Sequence, residues 1–478
     1  MLFNSIEFVI FFLIVTTFYF ALQPRYRWFL LLTSSCYFYM SFVPIYILIL
    51  GFTIIIDYWA GIFLEKTTGK NRKFFLIASL VANIGVLSVF KYYNFFNENL
   101  TALLHDIGLE NPVPALSILL PIGLSFHTFQ AMSYTIEVYR GNQKAERNFG
   151  IYALYVMFYP QLVAGPIERP QNLLHQFYEN HKFDYERVVN GLKLILWGFF
   201  KKLVIADRLA LYVGAVYNNP THHTGLSFIM ATIFFAFQIY CDFSGYSDIA
   251  IGAAKVMGFK LMTNFNRPYL ARNISEFWQR WHISLSTWFK DYLYIPLGGN
   301  RVSVPRWYFN LFFVFLISGL WHGANWTFII WGALNGFYLV FAIVSRGIRN
   351  RIAQLVGLNK LPRINRTIEV ATTFMLVCFA WIFFRANSLA DSFLIIKNIF
   401  NLKGPLFFDS ADPSSFVFSV FGICMLLMIE LKQEYYKGKF SLFNNPHWLI
   451  RNLSYAVLII LILLIGVFDG GQFIYFQF

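Results

Sequence analysis

Apolar residues run along this chain in blocks long enough to cross a bilayer, and polar residues gather in the short gaps between them. The first blocks are Phe8 to Leu22, Trp28 to Leu64, Phe74 to Tyr92 and Leu116 to Val138. Trp28 to Leu64 is too long for one helix and is expected to break at Ser41-Phe42-Val43-Pro44, where proline removes a backbone donor. Ile151 to Val163 is too short to cross easily and is expected to re-enter and return. A polar gap at Asn218 to Thr224 separates two long apolar stretches, and late blocks lie near Thr372 to Phe384, Phe416 to Ile429 and Leu453 to Val467. In hydrocarbon the backbone must close its own hydrogen bonds, so such blocks are helices. The pattern predicts an all-α integral membrane protein of about eleven transmembrane helices with one or two re-entrant segments. No repeat or linker divides it, so residues 1–478 read as a single membrane domain.

Composition agrees with lipid as the solvent: 58% of residues are hydrophobic, 20% aromatic and only 13% charged, with a mean hydropathy of +0.54. Phe8 to Leu22 follows Glu7 rather than a basic region and leads into Gln23-Pro24-Arg25 rather than a small-residue cleavage site, so it is expected as a retained span. The net charge of +14 belongs to short loops, which matches the excess of Lys and Arg on the cytoplasmic side of membrane proteins and argues against nucleic-acid binding. Arg25 and Arg27, Lys66 to Lys73, Arg140 to Arg147, Lys260 to Arg306 and Arg346 to Arg366 are then inner loops, and acidic Asn97 to Ala115 an outer one. Cys36, Cys241, Cys378 and Cys424 lie far apart in apolar stretches, which suits small buried hydrophobes. No metal site is expected, and the His222-His223 pair lacks a third ligand nearby.

The inner segment Asn264 to Arg301 reads NFNRPYLARNISEFWQRWHISLSTWFKDYLYIPLGGNR and is neither spanning nor soluble in character. From Ile274 to Tyr292 it mixes tryptophans with Arg280 and Lys290, the make-up of an amphipathic interfacial helix, with Asn273 or Ser275 as cap, Glu276 in the first turn and Gly298-Gly299 as its end. The chain then enters the membrane and presents Ser318-Gly319-Leu320-Trp321-His322-Gly323-Ala324-Asn325-Trp326. An ionisable residue between apolar runs is costly, which makes His322 a functional candidate, and its flanking glycines are expected to let a bulky substrate approach the backbone. Asp57, Asp242, Asp248, Arg385 and Glu430 are also within apolar runs and are expected to be satisfied structurally.

The stretches RWHISLSTWFKDYLYIPLGGNR and SGLWHGANWTFIIWGALNG together resemble the two signature motifs of the membrane-bound O-acyltransferase (MBOAT) family, in its bacterial alginate O-acetylation branch. DFSGYSDIAIG (Asp242 to Gly252), LVAGPIERP (Leu162 to Pro170) and the terminal FIYFQF (Phe473 to Phe478) add to the likeness, which covers essentially the whole chain. The resemblance implies that His322 is the catalytic intramembrane histidine and that His282 is the histidine of the preceding cytoplasmic-side motif, a second catalytic candidate that either serves the thioester end, relays a proton or hydrogen-bonds a helix end. It further implies transfer of an acyl group, acetyl first among them, from a cytosolic thioester to a hydroxyl on the far side of a bacterial inner membrane. An imidazole near neutral pH is suited to take the hydroxyl proton as oxygen attacks the carbonyl. Trp321, Asn325, Trp278, Arg280 and Trp281 are candidates to line the substrate path; if the stretch is helical, Asn325 lies one turn from His322 as a candidate orienter or carbonyl hydrogen-bond donor.

No bound cofactor is expected; the acyl donor is a co-substrate, acetyl-CoA or an acyl carrier. The expected partners are an extracytoplasmic polysaccharide acceptor such as alginate, a periplasmic acetyltransferase and membrane lipid. Peptidoglycan, or a teichoic acid receiving D-alanine, is the alternative acceptor. A transporter without chemistry would share the topology and the intramembrane charges, and only the motif pair speaks against it.

Overall fold

The computed structural model describes residues 1–117, 121–163, 165–402, 404–407, 413–436, 445–468 and 474. Among these the secondary structure is helical throughout, as expected, and eight helices are long and apolar enough to cross a membrane. The chain divides into two compact units, residues 1–195 with 246–262, and residues 196–245 with 263–478.

The first unit carries α1 (Ile6–Ala21), α2 (Pro24–Met40), α3 (Ile47–Lys66), α4 (Gly69–Asp106), α5 (Leu124–Arg140), α6 (Phe149–Met157), α7 (Tyr159–Leu162) and α8 (Pro170–Leu173). Ser5 caps α1 by accepting the Phe8 N–H, and Pro24 sits at the start of α2, where its missing donor costs nothing. The break expected at Pro44 separates α2 from α3. Helix α4 corrects the expected boundary near Tyr92, because it runs on through Asp106 into the acidic stretch read as an outer loop. There the Asn99 and Thr101 side chains bond back to the carbonyls of Phe95 and Asn97 instead of competing with the helix, and Gly108, at φ 76°, follows the stop. Outward residues Phe74, Ile77, Val81 and Ile84 of α4 are exposed, a surface only lipid would cover.

Helix α5 begins later than Leu116, after Gly123, whose φ is 76° and where a Cβ would meet the Leu162 carbonyl at 2.8 Å, so that no side chain fits. Residues 118–120 of that expected block lie outside the described residues. The short apolar stretch forms α6 and α7, and residues 151–163 are buried throughout. Asp57 on α3 is fully buried and accepts from Ser79 Oγ (2.5 Å) and Asn83 Nδ2 (2.9 and 3.0 Å) of α4, while Ser79 also reaches Thr135 of α5.

Two helices belong to both units, α9 (Tyr185–Phe199) and α11 (Gly225–Met257), with a π-helical turn over Phe200–Ala206 and α10 (Asp207–Tyr217) between them. The rest of the second unit comprises α12 (Ile274–Arg280), α13 (Ile283–Phe289), α14 (Val304–His322), α15 (Trp326–Val344), α16 (Arg346–Leu355), α17 (Pro362–Arg385), α18 (Leu389–Asn401), α19 (Pro413–Tyr435) and α20 (Trp448–Ile465). The late blocks of the sequence are α17, α19 and α20, and the polar gap after Tyr217 is a loop with one 3-10 turn at Pro220–His222. In this unit Lys202 Nζ lies 2.8 Å from Asp207 Oδ1 and 2.7 Å from Asp242 Oδ1, all three buried, and the Ile474 N–H donates to Asp242 Oδ2 at 2.8 Å. Glu430 accepts from the Tyr240 hydroxyl, and Arg385 donates to Asn218 Oδ1 at 3.0 Å. These intramembrane charges are met by polar or charged neighbours, as expected.

Candidate active site

The interfacial helix expected from Ile274 to Tyr292 is not continuous. Asn273 caps it as expected, accepting the Glu276 N–H at 2.9 Å, and the Glu276 carboxylate reaches back to accept the Arg272 N–H at 2.8 Å. At Trp281-His282 the helix stops and restarts, with His282 in the left-handed region at φ 42°, ψ 55°. That conformation costs on the order of 1 kcal/mol for a residue with a Cβ. Asn264, on the preceding segment, holds it: its carbonyl accepts the Ile283 N–H (2.9 Å), and its Oδ1 faces His282 Nδ1 (3.1 Å), Ser284 Oγ (2.9 Å) and Ser284 N (3.3 Å). An amide oxygen only accepts, so Nδ1 of His282 carries the proton and Nε2 is the acceptor nitrogen. Burial pushes the His282 imidazole down to about 3, so it is neutral across the physiological range. The Phe243 ring stands edge-on to it at 4.5 Å.

His322 is the last residue of α14 and is 5% exposed. Gly323 is extended and Asn325 caps α15, its Oδ1 accepting the Thr327 N–H at 3.0 Å. The stretch from His322 to Asn325 is not helical, so the one-turn spacing that depended on it does not hold: α14 ends at His322, and Asn325 Oδ1 holds the start of the next helix. The glycine expectation is corrected too. A Cβ on Gly319 would meet the Phe328 carbonyl at 2.3 Å and Gly332 Cα at 3.0 Å, and one on Gly323 would meet the Phe328 ring at 2.2 Å. These glycines admit α15 against α14 rather than a substrate.

What surrounds His322 is aromatic. The rings of Trp321, Trp331 and Phe384 lie 4.8, 4.9 and 5.3 Å from its centroid, each at a steep angle. From Trp331 a row of rings continues to Trp381 (5.8 Å) and on to Trp281 (5.2 Å), the neighbour of His282. Trp331 lies inside a motif visible in the sequence; Phe384 and Trp381, far along the chain on α17, carried no signal there.

A cleft of about 500 Å³ opens between α12, α13, α14 and α15, and its walls include Trp278, Ser286, Lys290, Tyr294 and Ser318. Ser318 is one helical turn before His322, and the Trp278 ring is 5.7 Å from Trp331. Trp278 Nε1 is buried in this wall without an acceptor among the described residues. Of the residues expected at this entrance, Trp278 lines the cleft, whereas Arg280 and Trp281 do not. Arg280 is paired with Glu276 (2.6 Å) and Glu434 (3.0 Å), and Trp281, 1% exposed, packs on Phe277 and Phe265. The Glu434 carboxylate also holds Arg267 at 2.8 Å.

Comparison with known proteins settles the family. The model described as MBOAT, membrane-bound O-acyltransferase family, matches residues 143–384. The probable alginate O-acetylase AlgI of Pseudomonas aeruginosa is 40% identical over 84% of this chain and 75% of its own. The chain belongs to the membrane-bound O-acyltransferase family. A peptidoglycan O-acetyltransferase of Helicobacter pylori is 33% identical over 100% of this MBOAT chain and 98% of its own length. A teichoic acid D-alanyltransferase of Bacillus subtilis is 26% identical over 66% of it and 78% of the relative. The protein is thus a multi-pass membrane O-acyltransferase, and transport without chemistry is set aside. In this MBOAT, Ala164 of LVAGPIERP and all of the terminal FIYFQF except Ile474 lie outside the described residues.

Proposed function

We propose that this acyltransferase moves an acetyl group from a cytosolic thioester toward a hydroxyl of an extracytoplasmic polysaccharide, alginate or a similar exopolymer, with His322 as the base. The observation that carries the reading is the position of His322. It ends α14 at the helix terminus opposite the basic inner loop before Val304, one turn beyond a cleft whose mouth carries Lys290. A thioester entering between Trp278 and Ser318 meets the imidazole from one side, and an alcohol reaching the Gly323 to Asn325 turn meets it from the other. His322 takes the alcohol proton as oxygen attacks the carbonyl, and the thiolate leaves with its carrier. The π faces of Trp331, Trp321 and Phe384 stabilise the imidazolium formed at that moment. His282 is a positioning residue, fixing the α12 to α13 turn that shapes the cleft.

The donor is acetyl-CoA or an acyl carrier, whose phosphates suit Lys290 and the basic inner loops. A periplasmic acetyltransferase completes delivery, and the location is a bacterial inner membrane. The count is about eleven crossings, with shorter helices such as α1 adding to the eight long ones. Peptidoglycan is the second reading, favoured by the end-to-end match to the Helicobacter pylori enzyme.

Mass spectrometry of surface glycans from cells with and without the gene decides among acceptors. Loss of acetyl groups from an exopolysaccharide supports the first reading, loss from muramyl residues the second, and loss of alanyl groups from a teichoic acid would replace both. Unchanged acylation of every surface polymer would overturn the proposal.

A further inference from the structure

A second cleft, of about 770 Å³, lies in the same unit away from His322, between the first half of α17 and the last turns of α19. Along α17 its lining runs from Arg363 and Arg366 through Val370 and Ala371 to Phe374. On α19 the corresponding run is Leu427 and Leu431, with Tyr435 at the helix end and Tyr436 just beyond it. Both helices therefore present charge and hydroxyls at one end and hydrocarbon beyond. From Arg363 to Phe374 the helical rise is about 16 Å, half the thickness of a bilayer's apolar core.

The polar end is positively charged. Four guanidinium groups, of Arg267, Arg272, Arg280 and Arg366, meet three carboxylates, those of Glu276, Glu369 and Glu434, and Arg363 stands beside them, so that five positive charges face three negative ones among the described residues. Glu434 is shared most heavily: Arg267 and Arg280 hold it at 2.8 and 3.0 Å, and Arg366 stands off at 3.7 Å. The Arg366 guanidinium lies 4.4 Å over the Tyr435 ring, and its Nε is buried with no acceptor among the described residues. Arg363 is exposed and meets no carboxylate among them. Tyr435 and Tyr436 are 41% and 68% exposed, as tyrosines at headgroup level are.

We propose that this cleft binds one anionic diacyl phospholipid of the cytoplasmic leaflet. The phosphate sits between Arg363 and Arg366 near the tyrosine hydroxyls, and an acyl chain lies along Val370, Phe374, Leu427 and Leu431. The basic loop from Arg346 to Arg366 puts the charged end on the cytoplasmic side, where anionic lipid is drawn to such clusters. A zwitterionic lipid would set its own ammonium against the uncompensated positive charge. Free phosphate would leave the apolar walls unused. The bound lipid would brace α17 against α19 beside Tyr269, whose ring also borders the cleft and packs on Trp281 at 6.0 Å.

The test uses the full chain purified in a neutral detergent and stripped of lipid. Native mass spectrometry and the thermal unfolding midpoint are followed as phosphatidylglycerol, phosphatidylcholine or inorganic phosphate is added. Phosphatidylglycerol is expected to bind as a single retained adduct and raise the midpoint, at least about fivefold more tightly than phosphatidylcholine. Arg363→Gln, a surface change, should weaken phosphatidylglycerol by about fivefold and leave phosphatidylcholine unchanged. Ala371→Trp, which fills the apolar end, should abolish the adduct; if that variant does not fold, Arg363→Gln alone decides. Equal binding of the two lipids, an unaltered Arg363→Gln variant, a phosphate effect matching the lipid's, or a co-purifying polypeptide retained in place of lipid would each overturn the proposal.

Discussion

The imidazole of His322 stands edge to face with the indole of Trp331, ring centroids 4.9 Å apart and planes at 83°. Trp331 in turn touches Trp278, in the wall of the cleft, so one indole links the histidine to the path proposed for the donor. An aromatic wall stabilises a positive charge that appears only during reaction. Trp331→Phe and Phe384→Leu should each lower kcat about two- to fivefold with KM little changed. Steady-state rates on one donor series separate the two parameters; a rise in KM alone would make the rings a binding surface.

Asn264 is expected to matter as much as the histidine it holds. Asn264→Ala leaves His282 Nδ1–H and Ser284 Oγ without the acceptor they share, and should cost about 1–3 kcal/mol of stability. His282→Ala should reduce transfer partially, through the shape of the cleft. If Asn264→Ala lowers the unfolding midpoint and donor affinity together, the turn is a positioning device; normal kinetics would return it to a purely structural role.

Glu168, 1% exposed in the loop before α8, accepts the Met262 N–H at 2.5 Å, yet burial raises its carboxyl from 4.5 to about 7. A folded value above the unfolded one means that its contribution to stability is full below about pH 4.5 and is lost as pH rises to about 7. Glu168→Gln keeps the acceptor and removes the titration. The variant should gain on the wild type by on the order of 3 kcal/mol across that window. Unfolding midpoints measured between pH 4.5 and 7.5 check this, and parallel curves would contradict it.

Lys202 bridges two buried carboxylates, so Lys202→Met should destabilise the second unit by about 3–5 kcal/mol. Adding Asp207→Asn and Asp242→Asn should restore much of the loss. A single variant as stable as the wild type in detergent would show that the triad is solvated.

The spans and their helical nature were legible because lipid forces a coarse rule on sequence, that long apolar blocks close their own hydrogen bonds. The position of His322 between two such blocks was legible for the same reason. The break at His282 was not, since Ile274 to Tyr292 has a helical composition and the bonds that stop it come from Asn264, ten residues upstream of that stretch. The glycines misled because small residues serve helix packing and substrate approach alike, and only the structure, in which a Gly319 Cβ would meet the Phe328 carbonyl at 2.3 Å, tells them apart. The α4 extension escaped because its last turns are polar, and Asn99 and Thr101 bond within the helix rather than against it.

The most direct measurement is acyl transfer to the acceptor polymer by membranes holding equal amounts of wild-type and His322→Ala protein. With His322 as the base, the variant should insert and fold normally while its rate falls by at least about a hundredfold. Acylation at the wild-type rate by that variant would contradict the mechanism.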